Sequence, residues 1–153
     1  NIANRFPEWR ETLDPNVLQR FAAIEKATAV EYLRRLDALA AMQASAAAAM
    51  DAAGVAALVG PTVPIAPPTV QEVAAGDRYV NRNMLALRNT VVGNFLKLSG
   101  FTIPAGKDAQ GLPVGLQVMT RDGADIYAVG LLLACQRVLG RPYDRLGAPP
   151  KAA

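Results

Sequence analysis

Few side chains in this sequence could serve as a nucleophile. The 153 residues include two serines, Ser45 and Ser99, and one cysteine, Cys135. Ser45 lies in an alanine-rich stretch that favours a helix, whereas Ser99 directly precedes a glycine, which is typical of a turn. Lys97 is the nearest base to Ser99, but side chains two residues apart on a helix do not face each other. We therefore predict that this chain contains no catalytic residue.

The sequence contains no histidine, and this excludes several kinds of site. A serine or cysteine nucleophile that depends on an imidazole base cannot be built from these residues. Zinc sites with histidine ligands are excluded for the same reason, and a single cysteine excludes a thiolate cage. We predict no metal site. Cys135 lies in an apolar helical stretch and is expected to be a small buried side chain, consistent with a reducing, cytoplasmic compartment.

The composition indicates a folded domain and argues against two classes of partner. Apolar residues make up 52% of the chain and charged residues 19%, which favours a packed core over disorder. The net charge is only +3, and the 12 arginines are scattered, with Arg34 and Arg35 as one adjacent pair. Nucleic-acid binders cluster their basic residues, so we expect no direct contact with DNA or RNA. No apolar run reaches the ~18 residues that a membrane span needs, so we expect no membrane contact.

The sequence predicts helices and strands in alternation, and these elements would position the side chains of any functional site. Asp14 and Pro15 form a helix start, and no glycine or proline interrupts the chain from there to Gly54. Residues 15–53 are therefore expected to form one long helix or two helices that meet at a bend. Residues 83–98 favour a further helix. Residues 123–139 form the last one, and an apolar face of this helix consists of Ile126, Val129, Gly130, Leu133 and Ala134.

Three segments are expected to be strands of one mixed sheet: residues 55–62, 100–104 and 113–120. The apolar run at residues 55–59 is typical of a central strand that is buried on both faces. Pro104 is expected to end the second strand, and the glycine-bearing segment at residues 106–111 links it to the third in a hairpin. The pattern predicts an α/β fold with flanking helices.

Several short motifs occur in a characteristic order along the second half of the chain. Pro61-Thr62 ends the first predicted strand, and Asn94 lies on the helix after it. Pro104-Ala105-Gly106 begins at the end of the second strand, and residues 111–117 read Gly-Leu-Pro-Val-Gly-Leu-Gln up to and into the third. Together these motifs resemble the C-terminal section of the amidase-signature family, and the resemblance extends over roughly residues 10–142.

The resemblance implies an α/β/α hydrolase that cleaves carboxylic amides. Family members use a serine nucleophile, a second serine held by a cis peptide and a lysine base, all in the N-terminal part, which has no counterpart here. We therefore expect residues 1–153 to be the C-terminal portion of a single amidase-signature domain, with the catalytic portion absent from this chain. The chemistry uses side chains and water, so no cofactor is implied. The expected partners are the remaining part of the same enzyme, a small amide substrate and further copies of the enzyme in a homo-oligomer.

The resemblance also implies a substrate-binding role for the helix that precedes the Pro-Ala-Gly motif. Arg88 could pair with a substrate carboxylate, or lie on the surface in solvent. Asn94 could hold a substrate carbonyl group or make a purely structural hydrogen bond. These two residues are our candidate substrate-binding residues.

Two alternatives to an amidase stay open. The chain could be part of the A subunit of a tRNA-dependent amidotransferase, which shares the fold and would be accompanied by partner proteins. A free-standing, non-catalytic domain that binds a ligand or a protein is the third hypothesis, because the chain carries no catalytic residue of the family.

Overall fold

A computed structural model describes residues 5–6, 8–18, 21, 26–74 and 77–148 of the chain. They belong to two compact units, one from residues 1–38 with 68–83 and the other from residues 39–67 with 84–153. Helices α3 and α4 contribute residues to both units. The described elements, in chain order, are α1 (Trp9–Thr12), α2 (Pro15–Leu18), α3 (Ala29–Ala52), β1 (Leu58–Pro61), α4 (Asp77–Leu96), β2 (Ser99–Lys107), β3 (Pro113–Thr120), α5 (Asp125–Leu139) and α6 (Pro142–Leu146).

The predicted helical region at residues 15–53 is interrupted. Residues 26–28 are not helical, and α3 begins afresh at Ala29. Thr28 explains the new start, because its hydroxyl oxygen accepts a hydrogen bond of 3.2 Å from the backbone N–H of Glu31, as a helix N-cap does. Arg35 pairs with Glu31 one turn further along. Residues 19–20 and 22–25 lie outside the described part of the chain, so the region before this break is described only in part.

The three strands form one sheet in the order β1-β3-β2. Both pairings are antiparallel. The α/β fold is confirmed, but the sheet that we expected to be mixed is antiparallel among the described residues. The cause is the β2–β3 hairpin, which turns the chain straight back and inserts β3 between β1 and β2. These two outer strands point in the same direction, yet they do not pair with each other.

Strand β2 continues past Pro104, where the sequence had predicted its end. The register shifts between Pro104 and Gly106, and pairing resumes to Lys107. Proline has no N–H to donate, but β2 lies at the edge of this sheet, where a missing donor and a bulge are tolerated. Arg145 of α6 covers this edge, since its guanidinium donates to the carbonyl oxygens of Pro104 and Ala105.

The register assigns the side chains of the sheet to two faces, each covered by helices. Ile103, Val118 and Thr120 lie on one face and are buried, as is Ala128 of α5 above them. Residues of the opposite face lie under α4, where a Cβ on Gly93 would come within 3.0 Å of the sulfur of Met119. The second unit therefore has helices on both sides of its sheet, which is the α/β/α arrangement that we expected.

Strand β1 is shorter and more exposed than predicted. Only Leu58–Pro61 of the expected residues 55–62 are extended in the sheet. The expected central strand lies at an edge, with β3 as its neighbour, and the side chain of Val59 is 63% exposed. Its apolar sequence matches a position with a strand on each side. The described part of this chain supplies one of those two neighbours.

Of the two later predicted helices, the last lies close to its predicted bounds and the other begins earlier than predicted. Helix α5, expected at residues 123–139, begins at Asp125 and ends at Leu139. Helix α4 begins at Asp77, earlier than the helical tendency of residues 83–98 indicated. Within the described ranges, no helix is both long and apolar enough to cross a lipid bilayer.

Candidate functional site

A cavity of about 240 Å³ lies between α4 and the sheet of the second unit. Its floor consists of residues from β2 and β3, and its wall consists of residues from α4 and the turn that follows. Four of the lining side chains can form hydrogen bonds, and none of the described lining residues is charged. The polar lining residues are Thr90, Asn94, Thr102 and Gln117.

Glycines bring the walls of this cavity close together. A Cβ on Gly93 of α4 would lie 3.0 Å from the sulfur of Met119, and a Cβ on Gly100 of β2 would lie 3.2 Å from the carbonyl oxygen of Val118. Larger residues at these positions would push the helix or the neighbouring strand away. The two glycines therefore set the depth of the cavity.

Gln117 lies at the centre of the cavity floor. It is half-buried on the middle strand, opposite Thr102 of β2 and Gly60 of β1. Within the described part of the chain, its side-chain amide makes no hydrogen bond. A half-buried amide with free donors and a free acceptor favours a polar ligand or water at this position.

A pair of threonines closes one end of the polar floor. The hydroxyl oxygens of Thr62 and Thr102 are 3.1 Å apart and share a hydrogen bond. Gly115 lies beneath them, and a Cβ there would come within 2.7 Å of the Thr62 hydroxyl oxygen. The backbone N–H of Thr62 also donates to the carbonyl oxygen of Gly115 over 2.9 Å. Gly115, the second glycine of the Gly-Leu-Pro-Val-Gly-Leu-Gln stretch, is thus required because the two threonine side chains approach its backbone closely.

Two side-chain amides hold α4 in place over the sheet. Asn89 donates to the carbonyl oxygen of Pro61 at 2.7 Å, which ties the middle of α4 to the end of β1. Gln43 of α3 donates to the carbonyl oxygen of Phe95 at 2.8 Å. That carbonyl belongs to the last turn of α4, where backbone acceptors have no partner within the helix.

The structure separates the two candidate substrate-binding residues. Asn94 is exposed and lines the cavity, whereas Arg88 is exposed and does not line it. The two residues are six positions apart on α4, which corresponds to about 240° around the helix axis. They therefore project in different directions, and one ligand group in the cavity could not contact both. Their roles in substrate binding stay predictions.

The nucleophile candidates have ordinary structural surroundings. The hydroxyl of Ser45 donates to the carbonyl oxygen of Met42 within α3, at 2.9 Å. Ser99 begins β2, and its carbonyl oxygen accepts a hydrogen bond from the hydroxyl of the buried Thr120. Cys135 is half-buried in α5. Among the described residues, no group of three or more His, Cys, Asp or Glu side chains could hold a metal ion.

Thr102 and Met119 line the cavity, although no sequence motif pointed to them. The signal was present in the strand alternation, because Gly100 and Thr102 share a face of β2 and pair with Met119 and Gln117 of β3. What the sequence could not supply is the position of α4 above that face. The described lining of the cavity offers amide and hydroxyl groups to a ligand.

Comparisons with known proteins agree with this architecture. A sequence model of the family described as amidase matches residues 2–127. The 2-amino-5-chloromuconic acid deaminase of Comamonas testosteroni is 38% identical over 148 residues, which are 97% of this chain and 32% of that protein. The A subunit of the glutamyl-tRNA(Gln) amidotransferase of Nitrobacter hamburgensis is 41% identical over 72 residues, which are 45% of this chain and 14% of that protein.

A solved structure supports the same relationship. The chain superimposes on a crystal structure of an amidase with a TM-score of 0.66 and 25% identity. The match covers 90% of this chain and 31% of the amidase chain. The chain thus spans about a third of the length of the deaminase and of this amidase.

Proposed function

Because this chain belongs to the amidase family, we propose that it is one part of an enzyme that hydrolyses carboxylic amides. In this proposal, the chain supplies a wall of the substrate pocket. The nucleophile and base come from a part of the enzyme outside this chain, since the relatives are about three times as long. An enzyme is completed only when both parts are present.

The uncharged cavity under α4 is the observation that carries this proposal. Gln117 presents an amide whose N–H groups and carbonyl oxygen make no hydrogen bond within the described residues. A substrate amide or carbonyl can form hydrogen bonds with such a group, because the Gln117 N–H groups can donate to a substrate carbonyl oxygen and the Gln117 carbonyl oxygen can accept from a substrate N–H. Asn94 at the rim provides a second amide, which supports its proposed role in binding. A charged group would find no counter-ion in this cavity, so we propose that it holds an uncharged part of the substrate.

Arg88 has a different proposed task. It lies outside the cavity on α4 and its guanidinium is exposed. A carboxylate at the far end of an elongated substrate could pair with it through two parallel hydrogen bonds. In this view Arg88 recognises a charged end of the substrate, and the cavity recognises an uncharged one.

The test uses the complete enzyme and a panel of primary amides, with short neutral members such as butyramide and elongated members with a terminal carboxylate, such as the monoamides of long-chain dicarboxylic acids. Gln117→Leu is expected to raise KM for both kinds of amide by about five- to tenfold, the loss of a hydrogen bond worth about 1 kcal/mol. Gln110→Leu, on the exposed hairpin loop, is the matched control. Arg88→Ala is expected to raise KM for the carboxylate-bearing members only, by the equivalent of roughly 1.5–3 kcal/mol.

Two results would contradict the proposal. The first is a complete enzyme that hydrolyses no member of the panel. The second is an equal effect of Gln117→Leu and Gln110→Leu on KM, which would place the substrate away from the cavity. Equal effects of Arg88→Ala on neutral and charged amides would make Arg88 a structural residue and leave the cavity assignment intact.

A component of a tRNA-dependent amidotransferase is the second candidate. The 41% identity with an A subunit of that enzyme over 72 residues favours it. The match with the deaminase extends over 97% of this chain, and for that reason we place a small-molecule amidase first. Co-purification separates the two, because an amidotransferase component should bring its partner proteins through affinity purification. We also infer a cytoplasmic location from the single cysteine.

A further inference from the structure

Helix α5 is apolar on both of its long sides. The inner side contains the buried Ala128 and the half-buried Leu131, Leu132 and Cys135, and it packs on β2 and β3. The outer side contains Ile126, Val129 and Leu133, with exposed fractions of 91%, 54% and 51%. A helix that is apolar all round is normally covered all round. We therefore expect the outer side to be buried against another protein surface.

The exposed apolar residues form a stripe along the helix, and a glycine in the middle of the stripe leaves a shallow hole. Ile126, Val129, Gly130 and Leu133 are spaced as one face of a helix requires, and we call them the outer stripe. A Cβ on Gly130 would meet no atom within 4 Å. Leu133 thus forms a ridge one turn away from a shallow hole at Gly130. Such a ridge and hole fit a second helix that carries the same two features.

Charged residues lie at both ends of the outer stripe. Asp122 and Asp125 lie at its N-terminal end, and Arg137 continues its line at the C-terminal end. Across the described parts of the chain, none of these three residues takes part in an ion pair. The acidic end of one such helix matches the basic end of another when the two run antiparallel. The charge pattern is therefore complementary to itself.

We propose that the outer stripe is the contact surface between two copies of this chain, with α5 packed antiparallel against α5 of the second copy. A two-fold axis midway between residues 131 and 132 places Leu133 of each copy level with Gly130 of the other. The same axis places Arg137 level with Ile126 of the partner helix, within one turn of the two aspartates. A two-fold contact requires such self-complementarity, whereas a foreign segment would not. This inference does not depend on the reaction that the enzyme catalyses.

The oligomeric state of the complete protein, measured by sedimentation equilibrium, tests the proposal. The protein is expected to be a dimer, and Leu133→Lys is expected to raise its dissociation constant by at least about tenfold, because each copy loses an apolar contact and gains a buried charge. Val138→Lys is the matched control, since Val138 is 85% exposed on the same helix but lies off the outer stripe. This control is expected to leave the dissociation constant unchanged.

A charge exchange provides the second arm. Arg137→Asp and Asp122→Arg are each expected to weaken the dimer by a fewfold, and the double variant is expected to recover most of the loss. A wild-type monomer throughout the micromolar range would overturn the proposal and indicate that another part of the enzyme covers α5. A Leu133→Lys variant that keeps the wild-type dissociation constant would also overturn it. So would a double variant that is weaker than both single ones.

Discussion

Asn89 donates a hydrogen bond of 2.7 Å from its side-chain amide to the carbonyl oxygen of Pro61. This contact joins the middle of α4 to the end of the first strand, 28 residues earlier in the chain. It is the direct link between the helix that carries Asn94 and the sheet that carries Gln117. The position of the cavity wall relative to its floor depends on it.

Removal of this hydrogen bond should weaken the second unit measurably. Asn89→Leu is expected to lower the free energy of unfolding by about 1 kcal/mol, the typical net value of one hydrogen bond. Asn94→Leu is the control, because Asn94 lies on the same helix and its side chain makes no hydrogen bond within the described residues. The measurement is urea unfolding followed by circular dichroism. Equal losses for the two variants would show that the Asn89 contact contributes nothing specific.

We expect Gly115 to tolerate no larger residue, because the side chains of Thr62 and Thr102 pack directly against its backbone. A Cβ there would lie 2.7 Å from the Thr62 hydroxyl oxygen and 2.8 Å from the Thr102 methyl carbon. Gly115→Ala is expected to lower the free energy of unfolding by about 1–3 kcal/mol, as overpacking does. Gly60→Ala on the neighbouring strand is the control, because a Cβ there would meet nothing within 4 Å.

The origin of this loss can be tested directly. Replacement of both threonines, by Thr62→Ala and Thr102→Ser, removes the two atoms that would lie closest to the new methyl group. In that background, Gly115→Ala is expected to cost less than it does in the wild-type protein. An unchanged cost would mean that the backbone conformation, and not the side-chain approach, requires glycine.

The sequence predicted some elements closely because the signals were local. Strand β3 has its predicted bounds, since Gly111 and Pro113 mark the preceding turn and the residues that follow are typical of a strand. Helix α5 is within two residues of its predicted bounds, because the turn before it and Gly140 after it are both clear signals. The end of α4 was harder to predict from the sequence, because no glycine directly follows the last helical residue. Lys97 adopts a left-handed conformation there, with φ at 56°, where glycine would be the usual residue.

The errors have non-local causes. Pro104 normally interrupts a strand, but the edge position of β2 and its bulge make the proline harmless, and edge positions follow from topology. The sequence places Arg88 and Asn94 on one helix without indicating which of them lies towards the sheet, and their roles in substrate binding stay predictions. Which side of that helix faces the sheet is decided by contacts such as the one between Asn89 and Pro61. A single sequence contains no direct record of those contacts.

The carboxylate of Glu72 provides a pH-dependent contact in the first unit. Hydrogen bonds from the backbone N–H and then from the hydroxyl of Thr69, together with the charge of Arg82, lower the pKa of Glu72 below its ordinary value. Because the pKa is lowered in the folded protein, the contact stabilises the fold above the unfolded-state pKa. The contribution is lost as the pH falls through the folded-state pKa. Thr69→Ala is expected to raise the pKa of Glu72 towards its ordinary value, as measured by NMR titration of the side chain. A pKa that does not move in this variant would show that the hydroxyl contributes nothing and would leave the backbone N–H of Thr69 as the main cause.

The 153-residue chain by itself should hydrolyse no amide. A serine acts as a nucleophile only when a base within hydrogen-bond reach removes its proton. The hydroxyl of Ser45 is engaged with the carbonyl oxygen of Met42, and Ser99 begins a strand without a base as hydrogen-bond partner in the described residues. Among the described residues that line the cavity there are amides and hydroxyls but no lysine. The assay is ammonia release from butyramide by the purified chain, with the complete enzyme as the positive control. Turnover by the chain alone that disappears in Ser99→Ala would overturn this prediction and place a catalytic serine at the start of β2.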